Sequence, residues 1–289
     1  MNNLKTIRDI LRYAVTSFNK AGLVHGHGTT SVIDEAAFLI LESLKLPIDD
    51  INPWADARLT SAEREAVLAL IDQRIQTRKP AAYLVNRCYM QGVSFYVDER
   101  AIIPRSYIGE MMAKGLLADL DIVHSRITKV LDLCTGSGCL AILAAAQFPS
   151  AEIHAIELSS DALEVAKINV HEHEMGKRIT LHQGDLFVPV AKMKFDFIIA
   201  NPPYVAKAEV DAFPPEYAAE PQMAHLGGAD GFDLVRRILL DAPTYLNKGG
   251  GLLCEVGTGG EILEAEFPQF NFLWLDAEEA EGEVFYLKF

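Results

Sequence analysis

Three stretches of this chain combine residue types that could do chemistry at a workable spacing: 132-DLCTGSGCLAI-142, Glu157 at the end of an apolar run, and 199-IANPPYVAK-207. Gly136 and Gly138 let the backbone turn tightly and approach a ligand, and the helix start that follows offers free N–H groups. About twenty residues on, Glu157 stands where a carboxylate can accept hydrogen bonds from both ribose hydroxyls of an adenosine. Asp185, in Gly184-Asp185-Leu186, is placed to meet an adenine amino group. The third stretch stops an apolar strand abruptly, because neither Pro202 nor Pro203 has the N–H that a central strand needs. Asn201-Pro202-Pro203-Tyr204 is therefore a rigid loop that presents one carboxamide and one aromatic ring.

That pair suits alkylation of a planar nitrogen. An amide or aniline-like nitrogen has a delocalised lone pair and is a poor nucleophile. Acceptors aimed at its two N–H protons would hold it and favour pyramidalisation toward a methyl carbon. The Asn201 side-chain oxygen and the Pro202 carbonyl can be those acceptors, the prolines fix their directions, and Tyr204 can pack on the flat group. No strong general base is required, since the proton can leave after the nitrogen becomes cationic. The glycine loop also satisfies G-x-G-x-x-A through Ala141, so a nicotinamide dehydrogenase stays open, although no residue pair suited to hydride chemistry stands beside it.

The elements that must position these residues fall into two rhythms. Residues 1–85 read as helices: 4–22 ending at Gly22, 32–46 with Asp34 as cap, and 60–79 opening on a Thr60–Glu63 capping box. This is expected to be a small helical substrate-recognition or packing domain. Residues 86–120 form a hairpin about Gly92 and a helical linker over 106–120. Residues 121–289 alternate, with strands at 129–134, 152–157, 179–184, 195–200, 251–256, 271–276 and 283–289, and helices at 138–147, 160–174, 231–246 and 259–266. The expected fold is α/β, a seven-stranded, mostly parallel sheet covered on both faces, with an antiparallel edge where two final strands lack a helix between them.

Half of the 289 residues are apolar and 23% are charged, as in a globular protein. Cys88, Cys134, Cys139 and Cys254 show no paired metal spacing, so reduced thiols and no metal are expected. The opening MNNLKTIRDILRYA is amphipathic rather than a signal peptide, and no apolar run is long enough to span a bilayer, which points to the cytoplasm. The net charge of −14 argues against a phosphate-backbone partner and suits a strongly basic protein. Acidic runs at 261–267 and 276–283 could steer one, or be solvated faces.

DLCTGSG together with NPPY resembles the class I (Rossmann-like) methyltransferases that use S-adenosylmethionine to alkylate exocyclic or amide nitrogens. Adenine-N(6) DNA methyltransferases and protein-(glutamine-N(5)) methyltransferases share these motifs. The resemblance to the second group covers nearly the whole chain, including 220-EPQMAHLGGADGFDLVRRIL-239. Within it, 25-HGHGT-29 and 103-IPRSYIGE-110 look like the branch that acts on ribosomal protein uL3. The branch acting on peptide-chain release factors usually has Pro and Asp where this chain has Ser106 and Tyr107. The resemblance implies methionine-side contacts from Cys134, Thr135, Gly136, Ser137 and Gly138, ribose contacts from Glu157, and adenine contacts from Asp185 and Leu186. It places the substrate amide against Asn201, Pro202, Pro203 and Tyr204, with Asn201 also near the cofactor. It implies methylation of a uL3 glutamine, on the free protein or on a large-subunit precursor, without DNA binding. The family often has Asp at Glu157 and, in the release-factor branch, an aromatic residue at Leu186. Arg105 and Glu110 are expected to cover the cofactor or shape the substrate slot, or to form a surface ion pair. Glu216-Tyr217 and Glu220-Pro221 are entrance residues or plain loop, and His25 and His27 are loop or cap residues. A cofactor-binding assembly protein without turnover is the reading from another class.

Overall fold

A computed structural model describes residues 3–120, 126–278 and 280–289. The N-terminal helices are α1 (Ile7–Ala21), α2 (Val32–Ser43), α3 (Ser61–Thr77) and the short α4 (Ala81–Val85). Their ends follow local chemistry. Thr6 and Asp9 form a capping box that starts α1 later than its apolar periodicity suggests, and Gly22 ends it in the left-handed region at φ 59°. Thr60 and Glu63 form the expected box on α3. The cap of α2 is Ser31, not Asp34: the Asp34 amide donates to the Ser31 hydroxyl, and the Asp34 carboxylate sits in the first turn, where the helix dipole favours it. Ile10, Phe18, Leu39, Ile40, Val67 and Ile71 pack into a core of their own.

A hairpin of β1 (Cys88–Met90) and β2 (Val93–Phe95) turns about Gly92 and leads to α5 (Tyr107–Ala113), capped by Ser106. The expected helix over 106–120 is cut short at Gly115, at φ 71°, and resumes as a single 3-10 turn, Leu116–Asp119. The boundary between linker and sheet region, expected at 120/121, adjoins residues 121–125, which lie outside the described residues.

The sheet strands are β3 (Lys129–Leu133), β4 (Glu152–Glu157), β5 (Ile179–Gln183), β6 (Phe195–Ala200), β7 (Leu246–Glu255), β8 (Leu273–Ala277) and β9 (Ala280–Lys288). They lie in the order β5-β4-β3-β6-β7-β9-β8, with β9 antiparallel to both neighbours and the other pairs parallel. Helices α6 (Cys139–Gln147), α7 (Ser160–Glu172), α8 (Lys207–Val210), α9 (Asp233–Tyr245) and α10 (Gly260–Glu266) connect them. Cys139 through Ala145 of α6 are all buried, so this helix is apolar all round and wedged between layers.

The strand order reverses at β3, between β4 and β6, and such a switch point opens a crevice beyond the carboxyl ends. Register fixes what stands there. Leu133 pairs with Ile156 on one side and with Ala200 on the other. The next residue of each strand is Cys134, Glu157 and Asn201. Three stretches separated by dozens of residues are thereby delivered to one edge at one level.

Candidate active site

The crevice holds a cleft of about 760 Å³, counted to its open mouth. Cys134, Gly136, Glu157, Asp185, Leu186 and Asn201 line it, and so does Pro203, which the resemblance places against the substrate amide. Ile102, Ile156 and Leu234 add apolar wall. Thr135, Ser137 and Gly138 do not reach the wall; they shape the loop beneath it. The Thr135 hydroxyl donates to Asp132, the Ser137 carbonyl accepts from Asn169 Nδ2 at 2.8 Å, and Gly138 starts α6 at φ 82°. Cys134 and Leu186 both sit at positive φ, 58° and 45°, a conformation costly for side chains other than Gly and Asn.

Electrostatics in this cleft are set by two buried carboxyl groups. Glu157 accepts the Gly136 amide at 2.8 Å and the Ser159 amide at 2.9 Å. Burial pushes its pKa up, against the pull of those amides. Asp132, wholly buried beneath the loop, is pushed up to about 7 by burial, against the Thr135 hydrogen bond and with the nearby Glu157 charge adding to the rise. Its Oδ1 has no hydrogen-bond partner, an unspent acceptor under the cleft. Asp185 reaches the cleft wall, but its Oδ2 also accepts from Arg237 at 2.7 Å.

A second cleft of about 680 Å³ lies beyond Asn201, lined by Arg105, Pro202, Tyr204, Phe213, Tyr217 and His225 among others. Ile102, Asn201 and Ala224 belong to the walls of both. The Asn201 side-chain amide donates to the Arg105 carbonyl at 3.4 Å, which leaves its carboxamide oxygen as the open acceptor. Pro202 faces this second cleft and Pro203 the first. The Asn-Pro-Pro-Tyr backbone is pressed from behind by 227-GGADG-231: a Cβ on Gly231 would lie 2.3 Å from the Tyr204 carbonyl oxygen, so no other residue fits there.

Two buried glutamates, neither given a defined role by sequence reasoning, hold this arrangement. Glu255 ends β7 at the same sheet edge. It accepts the Tyr204 hydroxyl at 3.0 Å, the Ser106 hydroxyl at 2.6 Å and the Tyr107 amide at 3.0 Å. Ser106, noted in the sequence as a branch difference, thus joins α5 to the tyrosine of the loop. Glu220 makes paired hydrogen bonds with Arg105 at 2.8 and 2.7 Å and accepts the Ile103 amide at 3.0 Å. Although burial alone would raise it, the hydrogen bonds from Arg105, with the His225 ring nitrogen 3.0 Å from its Oε2, hold Glu220 down at about 2. Arg105 lines the second cleft. Glu110 lies away from it, accepting Lys114 Nζ at 3.2 Å and the Glu278 amide at 3.0 Å at the antiparallel edge. The acidic runs are partly spent internally, since Glu264 accepts the Trp274 indole, Glu266 pairs with Arg236 and Glu278 with Lys114. Glu255 was open to detection as a carboxylate at the end of a recognised strand. Glu220 stands in the sequence as an entrance or loop residue without this role, and Asn169 carries no local signal.

Residues 112–214 match the Methyltransferase small domain family. The chain is 53% identical to the ribosomal protein uL3 glutamine methyltransferase of Bradyrhizobium diazoefficiens, across 98% of this chain and 91% of that protein. It is 47% identical to the protein of the same name from Burkholderia pseudomallei, across 97% and 94%. Among solved structures, the hMettl16 catalytic domain in complex with MAT2A 3′UTR hairpin 1 matches with TM-score 0.55 at 15% identity, across 88% of this chain and 90% of that one. A methyltransferase from Pyrococcus furiosus matches with TM-score 0.50 at 16% identity, across 79% and 98%. At such identities the solved structures establish a shared fold alone.

Proposed function

The chain belongs to the family of ribosomal protein uL3 glutamine methyltransferases, and on that premise we propose that it methylates the side-chain amide nitrogen of a glutamine in ribosomal protein uL3, in the cytoplasm, on the free protein or a large-subunit precursor. One observation carries the reading: Asn201 stands in the wall common to both clefts, with its amide group tied back to Arg105 and its oxygen left to accept.

The residues of the first cleft fit S-adenosylmethionine. Glu157 and Asp185 offer acceptors for ribose hydroxyls and an amino group, and Ile156 and Leu186 can flank a flat base. Bound there, the cofactor supplies an electrophilic methyl group on a sulfonium. Everything else falls to the chain. Asn201 Oδ1 and the Pro202 carbonyl accept the two N–H protons of the glutamine amide, which orients the nitrogen and favours its pyramidal form. Tyr204, anchored by Glu255, flanks the amide plane. Arg105, held by Glu220, supports Asn201 through its carbonyl. The aromatic rings of Tyr204, Phe213 and Tyr217 in the slot wall limit water around these hydrogen bonds, which strengthens them. The surplus proton departs to solvent once the nitrogen carries positive charge.

The test is direct. Unmethylated uL3 and unmethylated release factor are incubated with the purified chain and labelled S-adenosylmethionine, and peptides are analysed by mass. A single methyl on one uL3 glutamine, with release factor unlabelled, is expected. Label on release factor in place of uL3 assigns the chain to the other branch.

A further inference from the structure

The 25-HGHGT-29 loop lines neither cleft, yet it touches the wall of the second from behind. His27 is 4% exposed and packs against Tyr217, the two rings tilted by 56° with centroids 4.3 Å apart. Its Nε2 lies 3.7 Å from Glu220 Oε2 without making a hydrogen bond. Gly26 passes so close that a Cβ there would meet the Tyr217 hydroxyl at 3.5 Å. One residue earlier, the fully buried Glu216 accepts the Val24 amide at 3.0 Å and pairs with Arg78 at 2.6 Å. Arg78 also donates to the Ala21 and Gly22 carbonyls at the end of α1.

The contacts of Val24, Gly26, His27 and Arg78 with Glu216, Tyr217 and Glu220 run from the N-terminal region to one segment, 213–225, which supplies Phe213, Tyr217, Ala224 and His225 to the slot. By itself that segment is weakly built. Its backbone consists of two short 3-10 turns, Pro215–Ala219 and Gln222–Ala224, with a bridge between Val205 and Leu226 just beyond its end, and Glu220 ties it to Arg105 and Ile103. Backbone of this kind takes its conformation from what it packs against.

We infer that the N-terminal helical domain sets the shape of the substrate slot, with His27 as a positioning residue acting through Tyr217 and with Arg78–Glu216 as a second tether. The inference rests on the reading of the slot as the glutamine site, and it reaches further: the helices govern how well the acceptor side chain is received, not whether the cofactor binds.

Hydrogen exchange on the ligand-free full chain tests the clamp without reference to any substrate. In His27→Ala and in Arg78→Ala, amides across 213–227 should exchange about tenfold faster, the equivalent of one ring or ion-pair contact of about 1.4 kcal/mol. Exchange in β3 and α6 should be unchanged. His27→Phe keeps the ring against Tyr217 and should restore slow exchange. In methylation assays the two alanine variants should raise KM for uL3 about tenfold while kcat and S-adenosylmethionine affinity stay within about twofold. Unchanged exchange in both alanine variants overturns the clamp, and failure of the Phe variant to restore it overturns the role given to His27. Faster exchange in a chain that never methylates uL3 leaves the clamp standing and removes the functional reading instead.

Discussion

The cleft on the glycine-loop side takes its polar groups from the carboxyl ends of adjacent strands, whereas the slot beyond Asn201 borrows its walls from three separate regions held by buried charges. In the first, sheet register places the chemistry: once Leu133 pairs with Ile156 and Ala200, the positions of Cys134, Glu157 and Asn201 follow. In the second, two carboxylates do the placing, Glu220 on Arg105 and Glu255 on Tyr204. A site built by register tolerates the loss of one side chain better than a site built by a charge network, because backbone pairing survives where an orphaned buried charge does not.

The largest expected effect falls where the two clefts meet. Asn201→Ala should lower kcat on uL3 by roughly a hundredfold to a thousandfold, as removal of a preorganised polar group aimed at the reacting atom does. Donor affinity measured by calorimetry should remain near that of the unmodified chain; equal loss of both would show that Asn201 serves the donor alone. Next comes the slot's charge hub. Glu220→Ala strands Arg105 and should cost about 3 kcal/mol in denaturant unfolding, with turnover lost alongside. Glu157→Ala acts on the other side of the comparison. It should weaken S-adenosylmethionine binding about thirtyfold, through lost charge-assisted hydrogen bonds, while stability changes less than in the Glu220 variant. A larger stability loss at Glu157 than at Glu220 would break the contrast between the two constructions. The smallest effect belongs to Tyr204→Phe, which keeps the ring and removes its anchor on Glu255. About fivefold lower kcat with unaltered donor affinity is expected from one net hydrogen bond.

The same contrast explains what could be read from the sequence. Strand, glycine loop, helix and terminal acid are local features with fixed periods, so the sheet, its antiparallel edge and the residues at its carboxyl ends were legible, as was the family resemblance that the relatives bear out. Glu220 and Arg105 are 115 residues apart, Ser106 and Glu255 are 149 apart, and Tyr96 and Asn169 are 73 apart. No spacing rule connects such pairs; they meet because separate elements pack together. Smaller differences have equally local causes. Ser31 outcompetes Asp34 as a cap because it immediately precedes the first helical turn, and Gly115 ends α5 before its apolar pattern runs out.

Asn201, set in a partition between two chambers, also constrains the kinetics. A carboxamide clamped on one side can accept a methyl group only while the donor is seated on the other, so both substrates must occupy the protein together. Initial rates measured against each substrate at several levels of the other should therefore give double-reciprocal lines that cross, without the parallel set that a covalent carrier on the enzyme would produce.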